Sequence, residues 1–344
     1  MSTDTQTLDE AAVCRWLEKN LPGFAGPLEV TKFQAGQSNP TFLLSTPAHD
    51  YVLRRKPPGT LLKSAHAVDR EFWVQRALSD SQVPVARMHL LCEDESVIGS
   101  MFYVMDHVPG RNFNDPTLPE LTSAERGAVV DEMNGVLAAL HEVDIDAVGL
   151  SDYGPPGNYF ERQVGRWSKQ YRASETEPQP DMDALMQRLS AELPEDDGQR
   201  TLVHGDYRID NMIFDTHGTA CRAVLDWELS TIGHPFADLA AVIMQWQMPV
   251  GPEGRGLAGV DRKALGLPTD AEFIAAYCRR RGLKGIDNFG YYLAFCFFRM
   301  AAIIQGVLKR ALAGNASNPE YGLKLGQYVP VFARHGLEAL DRDR

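Results

Sequence analysis

The first third of the chain alternates short apolar runs with turn residues, as a small antiparallel sheet does. A turn at residues 36–40 separates the first two runs, and the third, YVLRR, is ended by Pro57-Pro58-Gly59. Residues 67–78 instead carry apolar positions at helical spacing. The pattern predicts this one helix and five strands, at residues 28–34, 41–45, 51–55, 88–92 and 101–105.

Beyond residue 106 the apolar period becomes helical. A Gly- and Pro-rich segment at residues 249–268 interrupts it, and two interpretations of that segment stay open, a mobile lid or a long surface loop. We therefore expect an α+β protein with a strand-rich N-terminal lobe at residues 1–106 and a larger helical C-terminal lobe at 107–344. Helices are predicted at 124–143, 159–171, 238–248, 270–281 and 288–312, with a solvated acidic helix inside 175–197.

Charge and composition narrow the classes of partner. A formal net charge of −12 over 344 residues argues against binding to nucleic acid or to anionic lipid. The N-terminus lacks a basic region followed by an apolar one, so no signal peptide is expected. The apolar run at 291–308 contains Arg299 and Gln305, which favours a buried helix over a membrane span. Five scattered cysteines are typical of reduced thiols, so a cytoplasmic location is expected, with no membrane partner.

The candidate chemistry is concentrated in residues 201–241. Two apolar strands, 212–214 and 223–225, flank a His217-Gly218 turn. Asp206 and Asn211 precede the first strand, and Asp226 follows the second. A hairpin here would bring the three side chains to one end. Magnesium prefers such oxygen ligands, and phosphoryl transfer also needs a carboxylate to accept the proton of the attacking hydroxyl. The segment therefore predicts magnesium-dependent phosphoryl transfer.

The run H-G-D-x-x-x-x-N, from His204 to Asn211, followed by D-W-E from Asp226, resembles the signature of the aminoglycoside phosphotransferase and choline kinase superfamily. The resemblance implies a two-lobed protein-kinase-like fold with ATP between the lobes. It also implies that Asp206 is the catalytic base and that Asn211 and Asp226 hold Mg²⁺. His204 would brace the catalytic loop, which also contains Arg208, and Asp238 would hydrogen-bond back to that loop.

The nucleotide-binding residues that the resemblance implies lie in the first lobe. Gly36 and Ser38 occupy the turn that would cover the phosphates. The strand YVLRR aligns with the kinase strand that supplies a lysine, and here it presents Arg54, which can still grip phosphate. Glu71 on the next helix would be its partner. The interlobe hinge, with Met105 and Asp106, would contact the adenine. The arginine also leaves open a weakened site, as in a pseudokinase.

Several segments resemble one subgroup, the kinase-like domain fused to acyl-CoA dehydrogenases and its free-standing bacterial relatives. The resemblance makes a hydroxyacyl-CoA-type substrate the expected acceptor, with an aminoglycoside or a choline-like alcohol as the alternative. The segments are residues 53–59, 161–171, 225–240 and 298–310.

A small hydroxylated substrate would meet side chains from several parts of the second lobe. Arg299 stands in an apolar run, so its charge needs a buried carboxylate or a bound anion as partner. The chain lacks the D-F-G and A-P-E signatures of protein kinases, which disfavours that class. The pattern leaves monomer and homodimer open. Candidate substrate residues are Glu228, Arg162, Trp167, Tyr171 and Arg299.

Overall fold

The computed structural model describes residues 8–33, 39–57, 67–251, 254–316 and 318–342. These residues form eleven α-helices and nine strands. The strands are β1 Glu29–Lys32, β2 Thr41–Ser45, β3 Asp50–Arg55, β4 Met88–Cys92, β5 Phe102–Asp106, β6 Thr201–Val203, β7 Met212–Phe214, β8 Cys221–Val224 and β9 Thr231–Gly233. The helices are α1 Glu10–Asn20, α2 Val68–Ala77, α3 Ser123–His141, α4 Tyr159–Ser174, α5 Pro180–Ala191, α6 Phe236–Trp246, α7 Arg262–Leu265, α8 Asp270–Arg280, α9 Phe289–Leu312, α10 Pro319–Gly326 and α11 Val329–Asp341.

The five strands predicted in the first third form one antiparallel sheet with the order β1-β2-β3-β5-β4. Their observed bounds agree with the prediction to within two residues because apolar alternation and turn residues mark strands clearly. The register pairs Arg54 of β3 with Tyr103 of β5. Together with the helical remainder, the sheet confirms the α+β class. The predicted turn at Gly36 and Ser38 lies outside the described residues.

Alternation along the strands gives the sheet two buried faces. On one face Phe42, Leu53 and Phe102 pack against the helix α1. On the other face Tyr103 packs against Val68 and Phe72 of α2. Because successive side chains point to opposite faces, Arg54 shares the α2 face with its neighbour across the strands, Tyr103. The sheet thus directs the charged side chain of Arg54 toward α2.

The helix α1 was missed by the sequence analysis. Asp9 caps it by accepting a hydrogen bond from the Ala12 N–H at 2.9 Å, and Val13 and Leu17 are fully buried against the sheet. The signal was present as an aspartate four residues before an apolar i, i+4 pair. The polar composition of the first ten residues concealed it.

The described chain divides into two compact units that interleave along the sequence. The first unit is Met1–Asn114, Ile145–Leu150 and Arg208–Ser230, and the second is Asp115–Asp144, Ser151–Tyr207 and Thr231–Arg344. The β7–β8 hairpin belongs with the N-terminal sheet, since the Val224 N–H donates to the Pro84 carbonyl at 2.8 Å and Arg111 pairs with Phe214. The predicted lobe boundary after residue 106 stays a prediction.

Helix α9 lies at the centre of the second unit, where it packs against α4, α5, α6, α10 and α11. By length and composition it could cross a membrane, but 72% of its most apolar 18-residue window is buried. The prediction of a buried helix is thus confirmed. The acidic helix α5 is less solvated than predicted, because Met182, Leu185, Met186 and Leu189 bury one of its faces.

Candidate active site

The hairpin of the first unit places two predicted metal ligands at one end. Asn211 ends a 3₁₀ turn that begins at Ile209, and Asp226 follows β8 by two residues. Met212 pairs with Val224, and the Leu225 N–H donates to the Asn211 carbonyl at 2.8 Å. Asn211 and Asp226 therefore extend from neighbouring backbone positions, as the hairpin prediction requires, while their role as ligands stays a prediction.

Side-chain contacts from Arg111 and Asn112, together with the close approach of Gly110, hold this hairpin in place. The Asn112 amide donates to the carbonyls of Asp210 and Met212 at 2.6 and 3.0 Å. Arg111 donates to the Gly218 carbonyl at 2.6 Å. At Gly110 a Cβ would lie 2.3 Å from the Phe214 carbonyl oxygen, so only glycine fits this close approach. Sequence reasoning missed these residues because side-chain contacts to backbone leave no pairing pattern.

Asp226 itself has left-handed backbone angles, φ 63° and ψ 59°, which are uncommon outside glycine and tolerated best by Asn and Asp. The following Trp227 is buried and donates its indole N–H to the Val224 carbonyl at 2.9 Å. The D-W-E sequence therefore forms a tight turn in which the tryptophan anchors the backbone. The Asp226 side chain remains about one third exposed (34%).

Arg54 joins the sheet, the helix α2 and the hairpin. Its Nη2 lies 2.8 Å from Asp226 Oδ1, and its Nε lies 2.9 Å from Glu71 Oε2. Burial lowers the pKa of Arg54, but Glu71 and Asp226 outweigh that effect and raise it. The predicted partnership of Arg54 with Glu71 is present in the structure, and Asp226 is a second partner that the sequence analysis did not assign.

Glu71 is 1% exposed, so its carboxylate depends on the groups around it. The Asn39 amide donates to its Oε1 at 2.8 Å, and the Tyr103 hydroxyl donates to its Oε2 at 3.1 Å. Burial raises the pKa of Glu71 to about 7, and Arg54 opposes that rise. The buried carboxylate is thus surrounded by one cation and two neutral donors, which orient it toward Arg54.

In the second unit the carboxylate of Asp238 holds the loop that contains Asp206. The His204 N–H donates to its Oδ2 at 2.6 Å, and the Gly205 N–H donates to its Oδ1 at 2.8 Å. Gly205 has φ 82°, a conformation that favours glycine. The Asp206 N–H then donates to His204 Nδ1 at 3.2 Å. These contacts fix the backbone on which the predicted base is carried.

His141 supports Asp238 from behind. Its Nδ1 lies 2.7 Å from the Tyr277 hydroxyl, and its Nε2 lies 3.4 Å from Asp238 Oδ2. Burial lowers the pKa of His141, with Asp238 opposing the shift. Burial raises the pKa of Asp238, but the hydrogen bond from His141 and the charges around it bring that pKa below its ordinary value. Asp238 is therefore charged, and the neighbouring His141 is neutral.

Arg299 differs from its prediction. The expected partner was a carboxylate or a bound anion, whereas Nη2 donates to the Gly205 carbonyl at 3.0 Å, and the guanidinium lies 5.8 Å from the ring centre of Trp167. A charged donor to a backbone carbonyl and an aromatic face together satisfy the cation without an acid. Arg299 therefore sits directly beside the loop that carries Asp206.

The remaining predicted substrate residues are placed less favourably. Tyr171 is fully buried, so its side chain is not accessible from solvent in this structure. Arg162 donates to the carbonyls of Pro156 and Gly157. Trp167 is 9% exposed, and Glu228 follows Asp226 within the same turn of the first unit. Their substrate roles stay predictions.

Three further predicted residues have identifiable contacts in the first unit. Arg208 Nη2 pairs with Asp210 Oδ2 at 2.8 Å, which fixes its side chain along the loop. Met105 lies inside the sheet, paired with Val52 and Met88. The Asp106 N–H donates to the Arg87 carbonyl at 2.9 Å, so this N–H is already engaged within the protein. The adenine contacts predicted for Met105 and Asp106 stay predictions.

We expect Arg54→Met to lower the free energy of unfolding by about 3–5 kcal/mol, because it leaves Glu71 buried without a cation. Arg54→Lys should lower the free energy of unfolding by less, because the ammonium keeps the charge although it cannot contact both Glu71 and Asp226 as the guanidinium does. Urea denaturation measures both. The exposed Arg76→Met on the helix α2 serves as control, with an expected change within about 0.5 kcal/mol. A loss below about 1 kcal/mol for Arg54→Met would contradict this role for the ion pair.

We also expect His141 to make stability depend on pH. Its pKa is lower when folded than when unfolded, so the unfolded chain binds more protons, and stability falls as pH drops through about 6.5. His141→Gln should reduce that slope by up to about 1.4 kcal/mol per pH unit. Urea denaturation from pH 8 to pH 5 measures the slope for wild type and for the variant. Subtracting one slope from the other cancels the contribution of other groups such as Glu71, whose raised pKa makes stability change with pH in the opposite direction. Equal slopes would refute the assignment, and His217→Gln, at an exposed position of the β7–β8 turn, is the control.

Comparison with known proteins places the chain. The profile of the phosphotransferase enzyme family matches residues 29–288. The chain is 47% identical over 308 residues to mouse acyl-CoA dehydrogenase family member 10, covering 88% of this chain and 29% of that protein. Human acyl-CoA dehydrogenase family member 11 is 43% identical, with 97% of this chain and 43% of that protein covered. The chain spans less than half the length of these curated relatives.

Comparison with solved structures agrees with the match to the family profile. A Ralstonia eutropha protein named for the aminoglycoside phosphotransferases is 47% identical, with a TM-score of 0.90 over 98% of this chain and 99% of that one. The aminoglycoside phosphotransferase APH(4)-Ia, in a ternary complex with ADP and hygromycin B, shares the fold with a TM-score of 0.62 at 16% identity, covering 94% of this chain and 97% of that one. The chain therefore has the kinase-like α+β fold of these proteins and belongs to the phosphotransferase enzyme family.

Proposed function

We propose that this protein is an ATP- and magnesium-dependent kinase that phosphorylates a hydroxyl group on an acyl-CoA thioester. One observation carries the proposal. Asn211 and Asp226 extend from neighbouring positions at the end of the β7–β8 hairpin, and Arg54 lies 2.8 Å from Asp226. Oxygen donors beside a fixed guanidinium form the chemistry that a metal–phosphate group requires.

The donor set fits magnesium. A carboxylate and an amide oxygen are hard ligands, and Mg²⁺ is commonly bound by one or two carboxylates together with substrate phosphates. Arg54 pairs with Oδ1 of Asp226, and a carboxylate has a second oxygen that can take part in coordination. When held by Asn211 and Asp226, the ion would neutralise negative charge on the phosphates.

Asp206 is the proposed base, on the support of its place in the H-G-D-x-x-x-x-N motif and of the contacts that fix its loop. It accepts the proton of the substrate hydroxyl as that oxygen attacks the γ-phosphorus of ATP. The bond between the γ-phosphorus and the β,γ-bridging oxygen breaks, and the products are a phosphate monoester, ADP and one proton. ATP as the donor is supported by the structural relatives that hold ADP or AMP-PNP.

The acceptor class rests on two independent lines. The curated relatives above 40% identity carry the name acyl-CoA dehydrogenase, and a kinase part within such a protein would share its acyl-CoA substrates. In the second unit, Arg299 places a cation against the Gly205 carbonyl, next to Asp206. A polycationic aminoglycoside would be repelled by this charge, whereas an anionic thioester substrate would be attracted.

A product screen tests this function. The chain is incubated with ATP, Mg²⁺ and one of three acceptor sets, namely 3- or 4-hydroxyacyl-CoA esters, aminoglycosides and choline-like alcohols. Phosphorus NMR and mass spectrometry then detect the phosphate monoester. We expect product from the hydroxyacyl-CoA set. Product only from another set would overturn the acceptor class, and nucleotide binding without product from any set would favour a pseudokinase.

In the same assay Asp206→Asn should lower kcat by about 10²–10⁴-fold, because the attacking hydroxyl loses its proton acceptor. Its affinity for ATP should change little. Asp215→Asn is the matched control, since this carboxylate lies in the β7–β8 turn and is 40% exposed. A kcat within about tenfold of wild type, roughly 1.4 kcal/mol in the barrier, would remove Asp206 from the role of base.

We expect Asp226→Asn to abolish the strengthening of ATP binding by Mg²⁺. The amide keeps an oxygen for Arg54 but loses the charge that attracts the ion. Calorimetry of ATP binding with Mg²⁺ and with EDTA measures the effect in the variant, in wild type and in Asp215→Asn. If the variant retains the wild-type ratio of the two affinities, Asp226 is not a metal ligand.

A further inference from the structure

A second cluster of metal-ligating side chains lies in the first unit, apart from Asn211 and Asp226. It consists of His49, His89 and Asp106, which we call the His-Asp cluster. His49 Nε2 lies 2.9 Å from Asp106 Oδ1, and His89 Nε2 lies 2.5 Å from the same oxygen. All three ligand atoms are within 4.8 Å of one another. Nothing in the proposed phosphoryl transfer uses these side chains.

The sheet brings these distant residues together. His49 immediately precedes β3, His89 is on β4, and Asp106 ends β5, which lies between those two strands in the sheet. The register pairs Met88 with Met105 and then shifts before Leu90, so His89 is the extra residue of a β-bulge. A bulge re-aims a side chain at the cost of regular pairing and is common next to functional sites.

The imidazole rings are also held in position. The Tyr51 ring lies 4.5 Å from the His49 ring and 5.4 Å from the His89 ring, measured between centres. The backbone of His49 is fixed by a turn in which its N–H donates to the Thr46 hydroxyl at 3.1 Å. Each histidine therefore has a constrained ring or backbone before any ligand arrives, which lowers the entropy lost on binding.

The ligand atoms of the His-Asp cluster and its access to solvent both suit the binding of a cation. Both imidazoles contact the same Asp106 oxygen, Oδ1, so two ring nitrogens and a carboxylate oxygen already converge on one point. Within the described part of the chain, the charge partners of Asp106 are these two histidines. The side chains are 47%, 15% and 27% exposed for His49, His89 and Asp106, so an ion can enter from solvent.

We propose that the His-Asp cluster binds a divalent transition-metal ion of the zinc class, through both Nε2 atoms and an Asp106 carboxylate oxygen. Imidazole nitrogen is a ligand preferred by Zn²⁺ and neighbouring transition metals rather than by Mg²⁺. Tetrahedral ligands at about 2.0–2.1 Å from zinc lie about 3.3 Å apart. The atoms now at 2.5 and 2.9 Å would separate by less than about 1 Å, and solvent would complete the shell.

Binding replaces the two N–H···O contacts by two metal–nitrogen bonds. A metal-bound Nε2 needs its lone pair free, so each imidazole must then carry its proton on Nδ1. The proposed site includes the side chain of Asp106, whose backbone is predicted to approach the nucleotide. It is independent of the proposed kinase activity, because its evidence comes from the side chains of the sheet alone.

The test is calorimetric titration of the tag-free full chain, stripped with EDTA, with ZnCl₂ and separately with MgCl₂. We expect one zinc site with a Kd of about 10 µM or tighter. His49→Ala and His89→Ala should each weaken it by at least about tenfold. His217→Ala is the matched control, since His217 is exposed in the β7–β8 turn, and it should leave zinc affinity unchanged.

A second measurement separates binding at this site from misfolding. Co²⁺ bound to imidazole and carboxylate ligands gives visible absorption, which should be lost in His49→Ala while the far-ultraviolet circular dichroism of that variant matches wild type. Wild-type protein that binds no zinc below about 1 mM, so that the cluster is only a hydrogen-bonded contact, would overturn the proposal. Zinc affinity that is equal in wild type and in both histidine variants would overturn it as well.

Discussion

One guanidinium shared by two carboxylates organises the first unit. Arg54 reaches Glu71 on the helix α2 and Asp226 after β8, so a single side chain ties the sheet, its covering helix and the hairpin. The pair with Glu71 is almost fully buried, where charges interact strongly and an unpaired one is costly. Asp226 is the more exposed partner, and the network therefore leaves its carboxylate accessible while fixing its position.

In the second unit, a buried anion holds an irregular loop. The loop at His204 and Gly205 has too few residues for a helix or a long strand, and its buried N–H groups need partners. Asp238, at the start of α6, accepts hydrogen bonds from both. In each unit, then, a buried ionised side chain from a regular element holds an irregular segment that carries a candidate catalytic residue. Regular secondary structure alone could not fix these segments.

The sequence predicted elements well where a period is visible. Five strands, the helix α2 and most of the long helices follow from apolar spacing, and the motif marks Asp206, Asn211 and Asp226. The three-residue strands β6 and β9 were missed, because so short a strand shows no alternation. Helix α1 was missed because the polar composition of the first ten residues concealed its apolar spacing.

Contacts between side chains and the backbone were a second group of features that the sequence did not predict. Arg299 donates to a carbonyl, which has no sequence signature, whereas the sequence suggested only a carboxylate or a bound anion as its partner. Burial of Tyr171 was equally hidden, since an aromatic residue on an amphipathic helix has the same spacing whether it faces solvent or core. The His-Asp cluster depends on strand order and on a bulge, and neither is visible in spacing.

The contacts that the sequence did not predict are relevant to specificity for the phosphate acceptor. Structural relatives at 16% identity share the fold, so the fold alone does not select an acceptor. The residues that discriminate must lie outside the shared motif and near the loop that carries Asp206. Arg299 meets both conditions, because it belongs to α9 and its guanidinium is fixed by the Gly205 carbonyl and the Trp167 ring. A fixed cation at that position would attract anionic acceptors and disfavour cationic ones before any specific contact forms, which is the physical basis for proposing a thioester rather than an aminoglycoside.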